Sequence, residues 1–121
     1  MHIVSMVLVT LVSLEFMYIF YLETIATTSS STECVFGMTH EELSRSSVTT
    51  LFRNQGVYNL LIGVLLLIAL FAYHSQAAVA WLLGYIIAVA AYGSYTSSPW
   101  IILKQGGLAI VALVFTLVFG V

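Results

Sequence analysis

Residues 56–95 read GVYNLLIGVLLLIALFAY (56–73), HSQ (74–76) and AAVAWLLGYIIAVAAYGSY (77–95). Two apolar runs of this length, split by three polar residues, leave little choice of fold. The hydrocarbon core of a bilayer is ~30 Å thick, and a helix needs ~20 mostly apolar residues to cross it. Inside lipid each backbone N–H and C=O must be paired within its own segment, which forces helix. The short link at His74-Ser75-Gln76 then folds the pair back as an antiparallel hairpin. Two further apolar segments lie outside this hairpin, one from about Ile3 to Leu22 and one from about Trp100 to residue 120. The fold expected is all-α: an integral membrane four-helix bundle, read as a single transmembrane domain over residues 1–121. Its helices fall at about 3–22, 56–73, 77–95 and 100–120, with a short interfacial helix inside the loop 24–55.

Composition agrees. Of the 121 residues, 61% are hydrophobic and 7% charged, whereas soluble domains carry ~25% charged residues. Three Lys/Arg and five Asp/Glu cannot cover a soluble surface. There is no basic patch, so nucleic acid is not an expected partner. The single cysteine, Cys34, allows neither an internal disulfide nor a paired-cysteine metal motif. His2, His40 and His74 are too dispersed for a metal site, and no Gly-rich phosphate loop or nucleophile elbow is present. No cofactor is expected. The first segment does not read as a cleaved signal peptide: its start lacks Lys and Arg, Glu15 interrupts it, and no small-x-small cleavage site follows.

The connections add detail. Ser98 suits a helix cap and Pro99 a first helical turn, which places the start of the fourth helix. In the long first connection the Ser/Thr run from Thr27 to Thr32 favours loop. Thr39-His40-Glu41-Glu42 is a capping box that starts a helix, and Leu43, Leu51 and Phe52 give it a modest apolar face. Arg45, Arg53 and Lys104 all fall on one side, while the side holding both termini and the His74 turn has no Lys or Arg. The positive-inside rule therefore puts the long loop in the cytoplasm and both termini outside. Ala80, Gly84 and Ala88 form a small-xxx-small stripe. Such a stripe suits close packing inside one bundle or a homodimer interface. Membrane lipids are the other expected partner.

Polar side chains are costly in a membrane, so their positions carry the functional signal. Glu15 lies seven residues before Leu22, roughly 10 Å from the cytoplasmic end of its helix at 1.5 Å per residue. A carboxyl group there must be protonated, paired or facing water. Tyr18 follows one turn on, and Glu23 ends the segment as an interfacial charge. The second helix opens with Arg53-Asn54-Gln55-Gly56-Val57-Tyr58-Asn59, where Gln55 and Asn59 share a face. Tyr92 lies near the end of the third helix, and Lys104 and Gln105 near the start of the fourth. The expected polar site is thus Glu15, Tyr18, Asn54, Gln55, Tyr58, Asn59, Tyr92, Lys104 and Gln105, gathered in the cytoplasmic half. Each has a plainer role: a snorkelling Lys104, belt tyrosines at 58 and 92, amides gluing helices, and a structural ion pair from Glu15 to Lys104 or Arg53.

Asn54-Gln55-Gly56-x-Tyr58-Asn59 resembles the signature of bacterial membrane proteins grouped as Domain of Unknown Function 1304. So do Glu15 with Leu22-Glu23, Val35-Phe36-Gly37, Tyr92-Gly93 with Thr96, and Gln105-Gly106 with Ala109. These blocks follow the family's order along nearly the whole chain. Two positions depart: Phe16 stands where the family usually has His, and Leu108 where it usually has Pro. The resemblance implies a bacterial cytoplasmic-membrane protein and points to the same polar face, but it brings no activity. The placement of Glu15 is also similar to the essential Glu of small multidrug-resistance transporters, although the long first loop does not fit them.

Three functions remain open. A transporter or carrier of a small solute would use Glu15 as the coupling carboxyl group. A membrane enzyme or binding protein for a lipid-like molecule would use it as acid or base, with Tyr18 or Tyr58. A structural or accessory subunit would use these groups only to hold helices together.

Overall fold

The computed structural model describes residues 2–96 and 106–121. All elements among them are helical. They are α1 (Ile3–Phe20), continued by a π-turn at Tyr21–Ile25, then α2 (Ser30–Phe36), α3 (His40–Leu43) and α4 (Ser46–Leu67). A second π-turn (Ile68–Ala72) prolongs α4, and α5 (Gln76–Thr96) and α6 (Gly107–Phe119) follow. With their π-turns, three helices are long and apolar enough to cross a membrane: Ile3–Ile25, Ser46–Ala72 and Gln76–Thr96. The expected start of the fourth segment, with Ser98, Pro99 and Trp100, lies outside the described residues. Its described part, α6, has 13 residues.

The chain forms two compact units, Met1–Ser13 with Val64–Val121, and Leu14–Gly63. In the first unit α5 packs on α6. The buried side chains Val79, Leu83, Ile86 and Ala90 recur at helical spacing on α5, and Ala109, Ala112 and Thr116 on α6. One end of this unit is tied by polar contacts. Ser5 Oγ donates to the Phe115 carbonyl at 3.1 Å, and Gln76 Nε2 to that of Thr116 at 2.8 Å. His74 Nε2 lies 3.1 Å from the Val121 carbonyl. The His2 ring stacks on Phe119 with centroids 4.6 Å apart. His2 and His74 are thus anchors at the C-terminal end of α6.

The second unit corrects the expected loop. The Ser/Thr run does not stay irregular: Ser29 accepts from the Thr32 backbone N–H at 3.2 Å and starts α2. Gly37 ends α2 at φ 65°, a left-handed conformation that suits glycine. The capping box at Thr39 forms as expected, with Thr39 and Glu42 bonding each other's backbone N–H groups. Leu43 is fully buried behind it. The second long helix begins at Ser46, ten residues before the expected Gly56. The polar residues 46–55 hid this start, because a search for apolar length stops where the sequence turns polar, while helix continues.

Candidate functional site

The first helix does not end at Leu22. It widens into a π-turn closed by the Ala26 backbone N–H donating to the Tyr21 carbonyl at 2.8 Å. Such turns are rare and frequently occur at functional sites. This one is held by three threonines. Thr27 Oγ1 donates to the Glu23 carbonyl at 2.7 Å. Thr32 Oγ1 lies 3.1 Å from the Leu22 carbonyl and 2.6 Å from that of Ala26. Thr24 Oγ1 donates to the Arg53 carbonyl on α4 at 3.0 Å. Carbonyls at the helix end are therefore met by hydroxyls of the segment that follows it.

Glu23 sits inside this turn and is only 1% exposed. Its placement as an interfacial charge is corrected: the helix runs past it to Ile25, so the carboxyl group is enclosed. Opposite it α4 presents Gly56 and Asn59. A Cβ at Gly56 would meet the Thr24 hydroxyl, with Glu23 Cβ 3.1 Å and Thr24 Cβ 3.2 Å away. Only a bare backbone allows the two helices to come this close. The approach brings Asn59 Nδ2 to donate to Glu23 Oε1. The second oxygen, Oε2, is buried with no hydrogen-bond partner among the described residues. Half-buried Glu15 has one such oxygen too, Oε1.

A buried acceptor without a donor costs ~1–3 kcal/mol, and such groups are few in folded proteins. The partner of Glu23 is a neutral amide, not a cation. The centre can therefore bind a proton, a hydrogen-bond donor or a small cation at Oε2. Among the described residues no three His, Cys, Asp or Glu side chains come together as a metal site.

The expected site residues separate. Asn59 joins Glu23 and Gly56. Gln55, one turn earlier, is exposed, as are Asn54, Tyr58 and Tyr18, whose ring lies 6.5 Å from that of Tyr21. Tyr92 belongs to the first unit and is exposed there. Lys104 and Gln105 lie outside the described residues. Glu23 was the residue missed. The signal available for it was the set of hydroxyls at 24, 27 and 32, which supply the donors a buried helix end needs. A shallow groove of about 320 Å³ in the first unit is lined by Ile3, Met6, Val7, Thr10, Leu11 and Phe71. The one hydroxyl there, on Thr10, donates to the Met6 carbonyl at 2.8 Å, so the groove suits only an apolar occupant.

This carboxyl–amide contact joins two of the blocks on which the family resemblance rests, and the comparison of whole sequences agrees. A family described as "Protein of unknown function (DUF1304)" matches residues 10–117. The chain belongs to the DUF1304 family. It is 57% identical over 115 residues to "Uncharacterized protein YpaA" of Lactococcus lactis subsp. lactis (strain IL1403), covering 94% of this chain and 97% of that protein. No solved structure matches. Within this DUF1304 chain Phe16, which follows Glu15, is buried.

Proposed function

We propose that this DUF1304 protein is a four-helix protein of the bacterial cytoplasmic membrane that carries a small solute and uses the carboxyl groups of its first helix as proton-coupling groups. The observation that carries this reading is the enclosed Glu23 carboxyl group, with one oxygen on Asn59 and the other free of any donor among the described residues. Ionisable groups inside a membrane segment are expensive and mark solute or proton pathways. Three helices of spanning length and a bacterial homologue support the location. In this reading the long connection faces the cytoplasm and both termini face outward. Glu15 and Asn59 line the path together with Glu23. The Ala80–Gly84–Ala88 stripe pairs two copies; a Cβ at Gly84 would meet nothing within 4 Å.

The test uses proteoliposomes on a solid-supported membrane under an inward proton gradient. Small amines, small carboxylates and neutral polar solutes are applied in turn. At least one class is expected to evoke a current, and Glu23→Gln should abolish it while leaving the melting temperature close to that of the parent. No current from any class, or an undiminished current in Glu23→Gln, would overturn the proposal. The close contact at Gly56 and the threonine bonds of the π-turn favour a second reading, a purely structural lock. In that case Glu23→Gln lowers stability and has no separable effect.

A further inference from the structure

The Asn54–Asn59 block faces two ways. Gly56 and Asn59 turn toward the first helix and are used there. Asn54 and Tyr58 are exposed, Tyr58 by 72%, and neither side chain makes a hydrogen bond to another described residue. The Arg53 guanidinium beside them is also exposed and has no carboxylate partner among the described residues. Residues four apart form a ridge on a helix. One such ridge runs from Arg53 through Val57 to Leu61, every member exposed. The ridge beside it begins with Asn54 and Tyr58. This face therefore changes from cationic and amide groups to aliphatic ones at Tyr58. No acidic residue occurs between Leu51 and Leu65. The eight steps from Arg53 to Leu61 rise ~12 Å, close to the ~15 Å depth of one bilayer leaflet.

We propose that this outward face of α4 is a binding site for an anionic phospholipid. Its phosphate is held by the Arg53 guanidinium and the Asn54 amide, the Tyr58 hydroxyl sits at the ester level, and an acyl chain lies along Val57 and Leu61. Guanidinium and amide N–H groups are donors that phosphate oxygens accept. A lone carboxylate or chloride would leave the aliphatic part of the ridge unused. The proposal rests on the membrane location above but not on solute transport, because none of these residues touches Glu23.

The test reconstitutes the whole protein in nanodiscs of phosphatidylcholine doped with phosphatidylglycerol, and measures lipids retained after detergent extraction by native mass spectrometry. One basic contact near the membrane surface favours anionic lipid about fivefold. The parent should retain phosphatidylglycerol by about that margin. The double variant Arg53→Gln/Asn54→Leu should lose the preference, and Asn59→Leu, which alters the inward side, should keep it. Equal retention of both lipids by the parent, or an unchanged preference in the double variant, overturns the site. A cysteine placed at Val57 in a Cys34→Ser background that cross-links to a second copy would assign the face to protein and overturn it as well. If the protein leaves the membrane in alkaline carbonate, the membrane location itself fails, a result distinct from any of these.

Discussion

At the scale of single residues, the pair Glu23–Asn59 separates stability from function. Asn59 is the only donor to the carboxyl group among the described residues. Asn59→Leu therefore leaves both oxygens enclosed and unpaired, which costs about 1–3 kcal/mol. Replacing both partners with apolar groups of similar shape is close to neutral. The double variant Glu23→Leu/Asn59→Leu should thus recover most of the stability lost in Asn59→Leu. Denaturation of the detergent-solubilised protein measures all the corners of this cycle, and additive losses would show that the two side chains do not act as a pair. Under the carrier reading the double variant is stable and inactive. Asn59 was legible in the sequence because an amide in an apolar helix stands out. Glu23 was not, because its importance depends on a π-turn, and no spacing rule announces the extra residue that carries the helix past it.

Elements show the same division. The capping box at Thr39 was legible because its partners lie three residues apart. The start of α2 at Ser29 was not, because serine and threonine serve equally in loops and in caps, and only the later left-handed Gly37 closes the helix. The capping box also has a pH signature. Glu42 takes hydrogen bonds from the Thr39 backbone N–H at 3.0 Å and from the Thr39 hydroxyl at 3.1 Å. First the backbone bond, then the hydroxyl bond, with a smaller contribution from the Arg45 charge, hold its pKa below the ordinary 4.5. Once the cap opens, the carboxylate takes a proton more readily than in the fold. The contribution of the cap is therefore complete above pH 4.5 and fades as the pH drops through the lowered value. Hydrogen exchange at residues 39–43 should accelerate relative to α4 only in that acid range, and Glu42→Gln, which removes the titrating group, should remove the pH dependence. Protection that stays constant down to the acid limit would show that the Glu42 bonds contribute nothing to α3.

For the whole molecule, the apolar segments were legible because membrane thickness sets a length that composition alone can meet. Three of them appear as helices of spanning length, while the turn into the fourth lies outside the described residues. Orientation is the remaining question at this scale, and the chain carries its own probe. Cys34 is its only cysteine and is exposed, on α2 of the long connection. The expected topology places α2 on the same side as Arg45 and Arg53, where basic residues are retained. A membrane-impermeant maleimide should leave Cys34 unmodified in intact cells and label it in inverted vesicles, without any substitution in the chain. The three-to-zero count of basic residues rests on few charges, so adding them elsewhere should compete. Two lysines in the link between Tyr73 and Gln76 should bring part of the population to the opposite orientation, read as partial labelling of Cys34 from outside. Full labelling of the parent protein in intact cells would invert the topology. It would also move the Glu23 centre and the Arg53 lipid site to the outer leaflet, where an anionic lipid preference is no longer expected to find its ligand in the cytoplasmic monolayer.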